Sequence, residues 1–134
     1  MNISPSFVAA WTPRIHGVLR IVTGLLFLMH GTKKLFGVPG LGMSDAVQLF
    51  SLMGFAGVLE LVGGVLLLVG MFTRPTAFIL SGMMAVAYFT AHAPKASLPI
   101  LNQGELAVMF CFVCLYLSVA GAGGFSVDAE RGKA

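Results

Sequence analysis

Between Asp45 and Arg74 the chain carries a single charge, Glu60, set in a run rich in Leu, Val, Gly and Met. A run so apolar and so long is a membrane-crossing helix by length alone, since about 20 residues span the hydrocarbon core. A carboxylate at the centre of such a helix costs about 2.5–3.5 kcal/mol on insertion scales. A chain retains it where it is paired, protonated or turned to a polar interior, which makes it a functional candidate.

The rest of the sequence agrees on class. It is 57% apolar and 10% charged, where soluble domains carry about 25% charged residues. The expected fold is all-α, an integral membrane four-helix bundle. Four spans of ~20 residues use most of the 134 residues, leaving one domain and no room for an extramembrane one. The net charge of +3 is scattered rather than gathered in a stripe, which excludes a nucleic-acid binder. Arg14 and Arg20 do not precede an apolar core as a signal peptide's basic region would, and the first apolar run carries His30. It reads as a retained first span.

The spans are expected at about 14–35, 46–72, 75–92 and 104–121. Residues 1–13 form a leader ending in Trp11-Thr12-Pro13, with Trp11 at the interface and Pro13 at the helix start. Gly37, Pro39, Gly40 and Gly42 form a loop, and Ser44-Asp45 caps the second helix. Alternatively, a short amphipathic turn over 46–53 precedes the true span, because Gly54 and Gly57 are weak points. Thr73-Arg74-Pro75 makes a tight turn between antiparallel neighbours. A polar loop with Pro94 and Pro99 leads to Asn102-Gln103-Gly104-Glu105, which opens the fourth span. Four spans place both termini on one side of the membrane. Arg14, Arg20, Arg74, Arg131 and Lys133 lie on that side and Lys33, Lys34 and Lys95 on the other, so the charge bias puts the termini in the cytoplasm.

At 100° per residue each span shows one polar-bearing face. His16, Thr23, His30 and Lys34 fall within about 40° of one another, with Arg20 at the edge of the arc. Gly57, Gly63 and Gly64 flank Glu60, and small residues let helices approach closely. Ser81, Ala85, Tyr88 and His92 form a stripe on the third span; Glu105, Met109, Phe112 and Tyr116 form one on the fourth. Counted at ~1.5 Å per residue, His30 lies ~24 Å, His92 ~25 Å, Glu105 ~24 Å and Glu60 ~20 Å from the terminal side. These values predict one layer holding two histidines, two glutamates and the nearby Lys34.

Each member has a plainer role open to it. Asn102 with Glu105 matches a capping box. Lys33 and Lys34 can snorkel to headgroups, His92 can be an interfacial histidine, and Arg20 and Arg74 can anchor lipid phosphates. Glu60 can be a protonated acid bonded to a neighbouring helix. Cys111 and Cys114 fit a thiol redox pair, but with Ala107 and Ser118 they also form a small-residue packing stripe.

The residues Arg20, Gly24, Phe27, His30-Gly31, Lys34-Leu35-Phe36-Gly37, Glu60, Gly63-Gly64, Gly70, Thr73-Arg74, Asn102, Gly104-Glu105, Gly121-Ala122-Gly123 and Ser126-Val127-Asp128 together resemble the DoxX family of small bacterial membrane proteins. Gln103 departs from the pattern, which usually has glycine there. The resemblance implies a four-helix, multi-pass protein of the bacterial inner membrane with redox roles. Relatives are linked to thiosulfate oxidation coupled to quinone, to quinone detoxification and to complexes handling thiol and oxidative stress.

Three functions follow. In the first, the chain is an oxidoreductase component binding a quinone or similar small apolar molecule. Its catalytic candidates are Glu60, His30 and Glu105, and its substrate-binding candidates Lys34, His92, Asn102, Tyr88 and Arg20. No haem, flavin or iron–sulfur motif is present in the sequence, so electrons would come from a partner redox subunit or the cysteines. In the second, the chain is a non-catalytic assembly or binding subunit of a larger membrane complex. In the third, and least favoured, two His and two Glu hold a metal; the Glu-x-x-His pairs of di-iron bundles are missing and Lys34 would repel a cation.

Overall fold

The computed structural model describes residues 4–40 and 47–133. Among them the chain is all helical, with no strand: α1 (Pro5–Phe36), α2 (Leu52–Val69), α3 (Thr73–Ala87), a π-helical turn (Tyr88–His92) continuing α3, a short α4 (Pro99–Asn102), α5 (Glu105–Ala120) and a short α6 (Val127–Glu130).

The helix starts differ from the sequence expectation in three places. α1 begins at Pro5, not after Pro13, because Ser4 Oγ caps it by accepting from Phe7 N at 3.3 Å. Pro13 sits inside the helix, and its carbonyl is held from outside by Gly124 N at 2.8 Å. At ~1.5 Å per residue this helix is ~48 Å long, longer than a ~30 Å hydrocarbon core is thick, and its first turns are exposed. α2 starts at Leu52, where Ser51 Oγ accepts from Gly54 N at 3.0 Å, which favours the later of the two expected starts. The proposed Ser44-Asp45 cap, with Ala46, lies outside the described residues. The turn between α2 and α3 is Gly70-Met71-Phe72, and Thr73-Arg74-Pro75 is the first turn of α3.

Packing builds two close pairs. In the first, α1 meets α2 through glycine. A Cβ on Gly24 would stand 2.9 Å from Gly64 O, one on Gly64 2.6 Å from Leu28 N, and one on Gly31 2.5 Å from Leu61 N. The two backbones therefore touch with no side-chain layer between them. In the second, α3 meets α5, where Ser81 Oγ donates to Cys111 O at 2.8 Å. Phe27, Leu67, Ala77, Leu80, Met84, Phe110, Cys114 and Leu117 form the core where the pairs meet.

The outward faces carry large exposed apolar side chains such as Val22, Val62, Phe78, Phe112 and Val119. Contiguous apolar surface on this scale marks a lipid or protein contact. α1 and α2 are each long and apolar enough to cross a membrane.

α5 turns the opposite way from the expected one. Its inward face is Ala107, Phe110, Cys114 and Leu117, while Met109, Phe112 and Tyr116 are exposed. The helix buries the side that carries Ala107 and Cys114 with Phe110 and Leu117, and this side packs against α3 and the core. The bulky stripe that follows Glu105 is left outside.

Candidate functional site

Two buried charges organise opposite ends of the molecule. At the terminal end Arg20 is wholly enclosed, 0% exposed. Its guanidinium donates to Leu67 O and to Leu68 O (2.9 Å) at the end of α2, and to Ala122 O (2.8 Å), Gly124 O (3.1 Å) and Phe125 O (2.7 Å) after α5. The last carbonyls of a helix have no intrahelical partner, and a guanidinium's rigid fork of donors suits them. Gly70, at φ 68°, leaves the space this needs: a Cβ there would lie 2.8 Å from Arg20 Cζ and 2.4 Å from Ser126 Cβ.

Asp128 completes the clamp. Its carboxylate accepts from Phe72 N at 3.0 Å and Thr73 N at 2.9 Å, capping α3 from the far end of the chain. Burial alone would push the Asp128 carboxyl up, but those backbone donors and the Arg131 charge hold it below the usual carboxylate range. His16 is also fixed here. One ring nitrogen, Nε2, donates to Gly121 O at 2.8 Å, and Nδ1 accepts from the Tyr116 hydroxyl at 3.0 Å. Arg20 is therefore a structural residue and not the substrate-binding one expected, because every direction of its fork is taken by backbone carbonyls.

At the other end stands Glu60, 2% exposed. It lies three residues after Gly57 and four before Gly64, so it shares the α2 face pressed against α1. Lys34, one turn beyond His30 on α1, reaches across and donates from Nζ to Glu60 Oε1 at 2.6 Å. Glu60 Oε2 is buried with no hydrogen-bond partner among the described residues. Buried polar atoms of folded proteins are nearly always bonded, so half of this carboxylate is held in reserve.

Glu60 lines a cavity of about 260 Å³ together with Phe27 and His30 of α1, Met84, Ala87 and His92 of α3 and its π-turn, Gln103, and Leu106, Ala107 and Phe110 at the start of α5. The His30 ring meets Phe110 edge-on, centroids 6.1 Å apart. His92 is placed by the π-turn, a local widening frequent at functional sites. Its Nδ1 lies 3.0 Å from Asn102 O. A carbonyl only accepts, so that nitrogen carries the proton, and Nε2 of the neutral ring is a lone-pair acceptor.

Asn102 and Tyr88 stand behind His92 and do not line the cavity. Asn102 Nδ2 donates to Ala96 O (2.8 Å) and the Tyr88 hydroxyl (3.4 Å), and Asn102 Oδ1 accepts from Gly104 N (2.8 Å). The Tyr88 ring lies nearly parallel to His92. These two residues hold the histidine and the loop rather than a ligand. The expected capping box does not form, since Gly104 is the N-cap of α5 and makes no side-chain cap bond.

Glu105 leaves the predicted layer. It is exposed on the first turn of α5 and absent from the cavity wall. The reason is angular: Ala107 faces inward, and two residues are 200° apart on a helix. Cys111 and Cys114 are free thiols, Cys114 fully buried in the core and Cys111 half-buried beside Ser81. Among the described residues no three His, Cys, Asp or Glu side chains group to hold a metal ion.

Sequence reasoning missed Gln103 as a cavity residue. Its one signal was the departure from the usual glycine, and Gln103 does occupy the left-handed region at φ 59°. The aromatic walls, Phe27 and Phe110, have no polar signature to find. A larger groove of about 450 Å³ runs beside the start of α1 from Phe7 to Leu19. Its polar groups are already engaged, His16 with Tyr116 and the Thr12 hydroxyl with Val8 O, so it offers mainly apolar surface.

The arrangement can therefore hold a small flat molecule between aromatic and aliphatic walls. It presents to that molecule an acid already tied to an ammonium group and a histidine with a free lone pair.

A family model described as DoxX matches residues 16–93, more than half of the chain. A protein of Haemophilus influenzae that carries the name "Uncharacterized protein" is 44% identical over 123 residues, covering 88% of this chain and 91% of its own. A protein of Bacillus subtilis named "Putative oxidoreductase CatD" is 26% identical over 113 residues, covering 83% of this chain and 82% of its own. No solved structure matches.

Proposed function

Because the chain belongs to the DoxX family, we propose that it is a redox-associated membrane component that binds a quinone or similar small apolar molecule in the cavity around Glu60. In this reading α1, α2, α3 with its π-turn, and α5 cross the bacterial inner membrane, with both termini in the cytoplasm. With Arg20 enclosed in the clamp, the charge bias toward that side rests on Arg14, Arg74, Arg131 and Lys133.

The observation that carries this reading is the half-satisfied Glu60 carboxylate in the wall of a cavity whose other side chains, apart from His30, His92 and Gln103, are apolar. At about 260 Å³ the space is just below the ~300 Å³ lower end of small-molecule pockets. It suits one ring with its tail outside. His30 and His92 supply polar contacts at the ring's edge. Glu60, with Lys34 holding its other oxygen, relays a proton. The oxidoreductase name carried by the Bacillus subtilis relative agrees with a redox setting. Electrons come from a partner subunit, because Cys114 is sealed in the core.

The test is Glu60→Gln. It removes the acid but keeps the shape. Quinone-dependent activity is expected to vanish while the protein still inserts and folds. Full activity in that variant would remove Glu60 from the mechanism. A second reading, a non-catalytic assembly subunit, is favoured by the exposed start of α1 that projects from the helix pairs. Copurification of a larger complex, with an isolated chain that binds no quinone, would select it.

A further inference from the structure

Gln103 is held in a conformation that glutamine resists. It ends α4 at φ 59°, in the left-handed region, where Cβ crowds the following carbonyl and only glycine is at ease. Glycine would fill the same turn without that penalty. The side chain does not compensate within the fold, since its amide makes no hydrogen bond with any described residue. Yet Gln103 lines the same cavity as Glu60, His30 and His92. A strained backbone that persists at a cavity wall points from structure to function.

The other polar groups of that wall are Glu60, His30 and His92. Glu60 Oε2 and the free nitrogen of His92 are acceptors, and Lys34 is already committed to Glu60 Oε1. Beside the His30 ring, the Gln103 amide is the group in that wall that carries both a donor and an acceptor, and its side chain can turn.

We propose that Gln103 is a ligand-binding, specificity-determining residue, its amide N–H groups donating to a carbonyl oxygen of the ring that occupies the cavity. The proposal rests on the quinone reading above and adds to it a named donor for one carbonyl. It also predicts a trade between folding and binding: the side chain that grips the ligand is the one the backbone would rather lose.

The experiment measures binding of duroquinone to the purified protein in detergent by calorimetry, beside thermal unfolding of the ligand-free protein. Gln103→Gly is expected to raise the unfolding temperature by about 3 °C and to weaken duroquinone binding roughly tenfold. Gln103→Leu keeps the bulk and the strain. It should weaken binding as much with no gain in stability. Gln103→Asn, which tolerates the left-handed region and keeps an amide, should bind better than Gln103→Leu. If the wild-type protein binds duroquinone and Gln103→Gly binds it equally well, the role of Gln103 is overturned and the cavity reading stands. If the wild-type protein binds no duroquinone, both fall together.

Discussion

Arg20 and Glu60 are both enclosed, both charged and both placed on the face where α1 meets α2, yet they do opposite things. Arg20 has a carbonyl in each direction its fork can point, drawn from the ends of α2 and the chain after α5. Among the described residues Glu60 has one partner for two oxygens, and that partner, Lys34, keeps 26% of its side chain exposed. A buried charge with every direction used is a fastener. One with a direction left over, in the wall of a cavity, is a binding group. Burial and charge alone do not separate the two; the count of unmet directions does.

The contrast can be broken most forcefully at Arg20. Arg20→Met keeps the volume and strands the carbonyls, so it should destabilise the protein by about 3–5 kcal/mol. Chemical unfolding in detergent would measure it. A loss no larger than that of a surface substitution would remove the clamp from the account. Next comes Gly64→Leu, which inserts a side chain where Leu28 N is 2.6 Å from an added Cβ. It should cost about 3 kcal/mol and part α1 from α2, read as lost cross-linking between cysteines placed on the two helices.

Asp128→Asn should be milder, about 1 kcal/mol at neutral pH, and it carries a pH signature. The folded carboxyl sits below its unfolded value because Thr73, Phe72 and Arg131 favour the charged form. Its contribution is therefore present above the unfolded value of about 3.9 and fades as pH falls through the folded one. Wild-type stability should drop over that acid range, and the drop should be smaller in Asp128→Asn. Last is Glu60→Gln, which should change stability by about 1 kcal/mol or less, because the freed Lys34 can turn to the exposed side. A collapse of stability in Glu60→Gln equal to that of Arg20→Met would erase the distinction between the two ends.

Much of the architecture could be read from the apolar runs and their glycine breaks. Gly57 and Gly64 placed Glu60 on a packing face, and the 100° arc that gathered His30 and Lys34 holds in the structure. The failures share a cause. Period alone gives the stripes of a helix but not which stripe is inward. On α5 the polar Glu105 drew the choice to Met109 and Phe112, while packing against α3 selected Ala107 and Cys114. Arg20 lay on the correct arc, but its partners come from the end of α2 and from beyond residue 120, and no local pattern announces contacts across about fifty and about a hundred positions. Gln103 was visible only as a misfit residue, because its meaning lies in a backbone angle.

The direct backbone contact of α1 with α2 has a mechanical consequence. With no side chains between Gly24 and Gly64 to repack, that pair has no slack and moves as one stiff rod. Arg20 rivets this rod to the chain after α5 at one end of the molecule. Any widening of the space beside Glu60 is therefore expected of the α3–α5 pair, which lacks that backbone-to-backbone contact with α1, and at the end away from the guanidinium.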